Sequence, residues 1–270
     1  MHWIRLSVFT LIFTLVSSLC FAEEFPLRKD YPDAPPVELA DLKAGYDDGS
    51  FMIVNVRETL EYDTIHPKGA HHISVFNLQF TTLLKNLSAE YPDKKIALYC
   101  NGVTCAKSYK ATEMALKAGM QNVYVFDGGV PAWVHAYPAD TLLLGKEVLL
   151  GKEVTDPEKQ LIPKSELEKV TVDFKTFKKK AEAPNAMVID ARDARQRMQK
   201  LPGFENAMNI PLDNFIKNII SHDRMKDKQL VIFDHVGKQV PWLMYYLKDK
   251  GYKNYYFLKG GASAVLKDQK

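Results

Sequence analysis

Residues 96–108 read IALYCNGVTCAKS, an apolar run followed by a loop of small and polar residues. The run predicts a buried strand, Gly102 allows the chain to turn, and a helix-like stretch begins at Ser108. The thiol of Cys100, at the end of the strand, is therefore expected to face backbone N–H groups and the positive end of a helix dipole. Both favour the thiolate, so this position suits a nucleophile better than a packing residue.

The pattern around this loop occurs twice in the chain. The apolar runs Phe51–Arg57 and Ala186–Arg192 both end in arginine, and each follows a helix-like segment. In the same register, residues 96–100 match residues 230–234. Short strands that alternate with helices predict mainly parallel sheets with helices on both faces. We therefore predict an α/β fold of two tandem domains, with functional sites at the carboxyl ends of the strands.

The N-terminal segment differs from the rest of the chain. Residues 1–22 begin with a positive charge, continue with an apolar run and end in the small residue Ala22, which is typical of a secretory signal peptide. The alternative is a membrane anchor, but the run is shorter than the roughly 20 residues that a spanning helix needs. We expect a first domain at 23–140, a linker at 141–165 and a second domain at 166–270.

Composition narrows the class of protein. The chain has 270 residues, is 46% hydrophobic and carries a net charge of +3, so it can bury ordinary cores and has no nucleic-acid signature. It contains three cysteines, and cleavage of the leader would remove Cys20. Cys100 and Cys105 would then lie in an oxidising compartment, such as the periplasm, in a secreted protein without a stable membrane span.

Several short motifs follow one another in the first copy. They are VNVR at 54–57, EY at 61–62, HPKGA at 66–70, LYC at 98–100 and NVYVFDGG at 122–129. Their order and spacing resemble the rhodanese family of sulfurtransferases. The resemblance implies two tandem rhodanese-like domains, in which Cys100 is catalytic and carries a sulfane sulfur as a persulfide.

The chain departs from the family pattern at several positions. The family has aspartate two residues before the strand-end arginine, where the first copy has Asn55 and the second has Asp190. The cysteine loop is two residues longer than the family loop, and Lys107 replaces the usual arginine before the helix. The second loop begins with Asp234 and has no nucleophilic sulfur, so we expect the second domain to be structural or to shape the substrate site.

The N–H groups of the first loop are predicted to hold an anionic sulfur donor and to spread the charge of a persulfide. The substrate-binding residues are thus Asn101, Gly102, Val103, Thr104, Cys105, Ala106 and Lys107. Three interpretations of Cys105 stay open: a passive loop residue, a resolving thiol, or a disulfide partner of Cys100. Lys107 either offers its charge to the anion or is a solvated helix residue.

Other polar residues are assigned structural roles. Arg57 and Arg192 are expected to clamp nearby carboxylates or carbonyls, since the arginine recurs in the copy that lacks the cysteine. We interpret Asp234 and His235 as a solvated pair on a loop. The histidines do not have zinc-ligand spacing, and no pattern requires a metal or a cofactor.

The leading functional hypothesis is an exported sulfurtransferase that accepts sulfur from a small anionic donor such as thiosulfate. The acceptor would be a thiol or another exported protein. The alternatives are a thiol–disulfide redox protein that uses Cys100 and Cys105, and a non-enzymatic protein that binds a partner. A phosphatase or arsenate reductase is disfavoured, because the loop has no arginine to bind a tetrahedral oxyanion with two hydrogen bonds.

Overall fold

The structure is a computed structural model, and it describes residues 25–147 and 161–267. The predicted signal peptide at 1–22 and the central part of the predicted linker, 148–160, lie outside the described residues. No helix within the described part is long and apolar enough to cross a membrane.

The first half of the chain alternates strands and helices. Its elements are α1 (Leu39–Asp47), β1 (Phe51–Asn55), α2 (Thr59–Thr64), β2 (Ile65–Pro67), β3 (His71–His72), α3 (Phe80–Glu90), β4 (Lys95–Tyr99), α4 (Lys107–Lys117), β5 (Val123–Phe126) and α5 (Gly129–Ala136). Strands β3, β1, β4 and β5 form a parallel sheet in that order. The strand that leads to the cysteine loop, β4, therefore lies inside the sheet.

The chain then forms two short strands, β6 (Thr141–Leu143) and β7 (Lys146–Glu147). Strand β6 pairs antiparallel with both β2 and β7 in a small second sheet. The first residues of the predicted linker are thus ordered against the first domain.

The second half repeats the alternation. Its elements are α6 (Lys164–Val170), β8 (Thr171–Val172), α7 (Phe174–Ala181), β9 (Ala186–Asp190), β10 (Met208–Asn209), α8 (Leu212–Asn218), β11 (Gln229–Phe233), α9 (Val240–Asp249), β12 (Tyr255–Leu258) and α10 (Gly261–Lys267). The sheet is parallel, in the order β10-β9-β11-β12-β8. The predicted fold class, two tandem α/β domains with mainly parallel sheets, is confirmed.

The sequence of β4 explains why both faces of its sheet are covered. Ile96 and Leu98 are fully buried in one apolar cluster, whereas Ala97 and Tyr99 are fully buried in the cluster on the other face. Alternate residues of a strand point to opposite faces, so a continuous apolar run is what a sheet between two layers of helices requires.

The two halves contact each other through α2 and α9. Leu60 of α2 is buried within the apolar core of the second half. Trp242 of α9 packs against the cores of both halves. The second half therefore rests on the helix that follows the first strand-end arginine.

Candidate active site

The end of β4 and the start of α4 bring the two cysteines together. Cys100 directly follows β4 and is 1% exposed, whereas Cys105 lies just before α4 and is half-buried. Gly102 has a φ of +108°, a backbone conformation that favours glycine. The loop is also held from below, because the N–H of Val130 donates to the carbonyl oxygen of Cys100 at 3.0 Å.

The sulfur of Cys100 is enclosed by polar groups of its own loop. It lies 3.0 Å from the carbonyl oxygen of Cys105 and 3.2 Å from the hydroxyl oxygen of Ser108. Burial raises the pKa of the Cys100 thiol, and its hydrogen bond with Cys105 raises it further. Cys100 is therefore the protonated member of the pair.

The sulfur of Cys105 has the opposite environment. Interactions with the Cys100 side chain, with the backbone N–H groups of Asn101 and Lys107 and with the Lys107 ammonium lower the pKa of Cys105 to about 6. Of the two thiols, Cys105 has the environment that favours the thiolate.

The loop N–H groups are divided between the two sulfurs. The N–H of Ser108 acts to lower the pKa of Cys100, whereas those of Asn101 and Lys107 act to lower the pKa of Cys105. Our expectation that the loop N–H groups stabilise a thiolate of Cys100 stays a prediction. The longer loop carries a second sulfur into the space among these donors. The other predicted binding residues, Gly102, Val103, Thr104 and Ala106, lie in the same loop, and their role in binding a donor stays a prediction.

A buried carboxylate that we did not predict as a site residue links the loop to α2. Glu61 is 2% exposed; its carboxylate accepts from the side-chain amide of Asn101 and lies 3.1 Å from the ammonium nitrogen of Lys107. Burial acts to raise the pKa of Glu61, but Lys107, the N–H of Glu58 and the Asn101 amide together lower it. The ammonium of Lys107 is therefore paired with a buried carboxylate, and its role toward an anionic donor stays a prediction.

The strand-end arginine completes this network. Arg57 is fully buried, donates to the side-chain oxygen of Asn55 through its backbone N–H and Nε, and donates to the Asn101 side-chain oxygen at 3.2 Å. Its guanidinium lies 5.5 Å from the ring centres of both Tyr99 and Trp242. Trp242 belongs to α9 of the second half of the chain. Arg57 therefore lies between the second half and Asn101 of the cysteine loop.

Comparison with known proteins agrees with this architecture. The family described as "Rhodanese-like domain" matches the chain twice, over residues 38–136 and 173–268. The chain belongs to the rhodanese-like domain family. The predicted recognition of a tandem family member is confirmed.

Solved structures of limited overall similarity also match the chain. A Bacillus halodurans protein is 22% identical and covers 44% of this chain and 87% of its own, with a TM-score of 0.36. Thiosulfate sulfurtransferase from Pseudomonas aeruginosa is 17% identical and covers 88% of this chain and 45% of its own, with a TM-score of 0.37. A Helicobacter pylori protein is 25% identical and covers 35% of this chain and 80% of its own, with a TM-score of 0.30.

In the second rhodanese-like domain, a side chain of the loop binds the loop's own N–H groups. The side chain of Asp234 replaces the cysteine, is 4% exposed, and accepts from the backbone N–H groups of Gly237, Gln239 and Val240. Our interpretation of Asp234 as a solvated loop residue is therefore wrong. Its carboxylate takes the donors that an external anion would need.

The arginines of the two rhodanese-like domains differ in their partners. Arg192 is held by the carboxylate of Asp190, with contacts of 2.9 and 2.8 Å, and by the carbonyl oxygens of Gln196 and Gln199. Arg57 binds the neutral Asn55 instead and directs one N–H toward the cysteine loop. Within residues 25–147 and 161–267, no group of three or more histidine, cysteine, aspartate or glutamate side chains could hold a metal ion.

Proposed function

We propose that the first rhodanese-like domain is a sulfurtransferase that carries a sulfane sulfur as a persulfide on its cysteine loop. The observation that carries the proposal is a pair of thiols in the loop between the carboxyl end of β4 and α4, where the Cys100 sulfur lies 3.0 Å from the Cys105 carbonyl oxygen and 3.2 Å from the Ser108 hydroxyl oxygen. Membership in the rhodanese-like family supports sulfur transfer in general. The sequence-based assignment of the persulfide to Cys100 stays a prediction.

Sulfur transfer needs a thiolate nucleophile and a group of hydrogen-bond donors that binds an anion. A thiolate attacks the outer sulfur of the donor and forms a persulfide; an acceptor thiolate then removes that sulfur in a second step. The loop N–H groups stabilise negative charge on the bound sulfur in both steps. We propose a small sulfane donor such as thiosulfate and a thiol acceptor, either a small molecule or an exported protein.

Intact-mass measurement tests the proposal. After reduction and removal of the reductant, incubation with thiosulfate, mercaptopyruvate or glutathione persulfide is expected to add the mass of one sulfur atom. A thiol such as dithiothreitol should remove that mass, because it acts as the acceptor. The matched control is the Cys100→Ser/Cys105→Ser double variant, which should gain no mass that dithiothreitol removes.

A thiol–disulfide redox function is the second candidate, and the presence of two free cysteines in one loop, with the Cys100 sulfur 3.0 Å from the Cys105 carbonyl oxygen, favours it. In the same measurement it predicts a loss of two hydrogen masses after mild oxidation, with no uptake of sulfur from any donor. Protein that neither takes up sulfur nor forms a disulfide would contradict both functions and would favour a non-enzymatic role in binding a partner.

We also propose that the protein is exported to the periplasm, which the composition of residues 1–22 supports. Cleavage after Ala22 should leave Glu23 as the first residue. N-terminal sequencing of the protein recovered from a periplasmic fraction checks this expectation, and an intact N-terminus in the cytoplasmic fraction would contradict it.

A further inference from the structure

We infer that Cys105, and not the strand-end Cys100, is the thiolate that attacks the sulfur donor, and that Cys100 is a positioning residue that holds it. This inference rests on the proposed function and specifies which atom performs it. It assigns the reacting sulfur to the part of the loop that distinguishes this chain from the usual rhodanese pattern.

The first argument concerns the proton on Cys100. Its sulfur lies 3.0 Å from the carbonyl oxygen of Cys105, and a carbonyl oxygen can only accept a hydrogen bond. This contact is therefore favourable only while Cys100 keeps its S–H, whereas a thiolate there would meet the negative end of the carbonyl dipole. With 1% exposure, Cys100 also has almost no surface on which a donor could approach.

The second argument concerns the donors around Cys105. Interactions with the Cys100 side chain and with the N–H groups of Asn101 and Lys107 act to lower the pKa of its thiol. It precedes the N-terminus of α4, where the helix dipole favours negative charge. Its side chain is half-buried, so it combines the stabilisation of an anion with access to solvent.

The third argument concerns the charges that surround the pair. The ammonium of Lys107 on α4 acts to lower the pKa of Cys105, and it lies 3.1 Å from the carboxylate of Glu61 on α2. Arg57, at the end of the first strand, lies behind Asn101. Lys107 therefore acts on Cys105 as a cation that a buried carboxylate holds in place.

The proposed reaction with thiosulfate is balanced without an added oxidant. The Cys105 thiolate forms a bond to the outer sulfur of thiosulfate, and the sulfur–sulfur bond to the sulfonate group breaks. Sulfite leaves with that electron pair, and Cys105 becomes a persulfide. An acceptor thiolate then bonds to the outer sulfur of the protonated persulfide, which regenerates the Cys105 thiolate and yields the persulfide of the acceptor.

Two single variants and one alkylation measurement test the inference on the full chain. Cys105→Ser should reduce persulfide formation from thiosulfate to the level of the double variant. Cys100→Ser should still accumulate a persulfide on Cys105, because the serine hydroxyl can donate in place of the thiol. Peptide mapping after alkylation locates the added sulfur among the three cysteines of the chain.

The pH dependence of alkylation by iodoacetamide needs no sulfur donor and no variant. In the wild-type protein, Cys105 should react first, with a midpoint near pH 6. In Cys100→Ala, which removes the hydrogen-bond donor, the midpoint should move upward toward the ordinary cysteine value of about 8.5. Cys100→Ser should restore a lower midpoint, as expected for a positioning residue.

The outcomes separate the inference from the proposed function. Sulfur on Cys100 in the wild-type protein, together with persulfide formation by Cys105→Ser at the wild-type rate, would overturn the inference and leave the proposed function standing. A wild-type protein that accepts no sulfur from any donor would overturn the proposed function. The inference would fall separately if Cys100 were alkylated before Cys105.

Discussion

Gly129→Ala is expected to abolish sulfur transfer, although residue 129 lies outside the cysteine loop. Gly129 has a φ of +62°, and an added Cβ would lie 2.4 Å from the Gly102 nitrogen and 2.6 Å from the Cys100 carbonyl oxygen. Both neighbours are backbone atoms and cannot move without the loop. The displacement would also break the hydrogen bond from the N–H of Val130 to Cys100.

The second rhodanese-like domain supplies a matched control. Gly261 has a φ of +63°, and a Cβ there would lie 2.6 Å from the Val236 nitrogen and 2.7 Å from the Asp234 carbonyl oxygen. A non-glycine residue in this backbone conformation costs about 1–3 kcal/mol, so both alanine variants should lower the free energy of unfolding. Only the change at Gly129 should stop the transfer.

The two variants are compared by the rate of persulfide formation from thiosulfate and by equilibrium chemical denaturation. Loss of transfer in both variants would mean that the effect acts through general destabilisation. Wild-type transfer by Gly129→Ala would show that the backbone contact does not position the loop.

The architecture was predictable because its signals are local and occur twice. The apolar run at β4 and its counterpart at β11 each specify a buried strand by composition alone. Glycines after β5 and β12 recur in register, and each approaches the loop of its own domain. Because the same pattern occurs in both halves of the sequence, a strand predicted in one half is supported by its counterpart in the other.

The chemistry of the loop was less predictable because it depends on contacts between elements. The sequence places Cys105 in the loop, but only the folded backbone shows that its carbonyl oxygen lies 3.0 Å from the Cys100 sulfur. Glu61 belongs to the EY motif at 61–62, but its contacts with Asn101 and Lys107 depend on how α2 packs against the loop. The burial of Asp234 likewise follows from the turn that encloses it.

Asp190→Ala is expected to lower the free energy of unfolding by about 3–5 kcal/mol, because it leaves the guanidinium of Arg192 buried without its counter-charge. The Arg192 side chain is 0% exposed and lies 2.8 Å from the Asp190 carboxylate. The carbonyl oxygens of Gln196 and Gln199 would still accept hydrogen bonds, but they carry no net charge. Chemical denaturation followed by circular dichroism measures the loss.

Asn55→Ala is the matched change in the first domain, and its smaller expected cost follows from charge. Asn55 gives Arg57 hydrogen bonds but no negative charge, so its removal costs the bonds alone, about 1–3 kcal/mol. Asp190→Asn should lie between the two alanine variants, because it keeps an acceptor and loses the charge. Equal losses for Asp190→Ala and Asn55→Ala would contradict the argument. The stability that Arg57 gains from Asn55 would then equal the stability that Arg192 gains from Asp190. The lack of a paired carboxylate at residue 55 would not distinguish the first domain from the second.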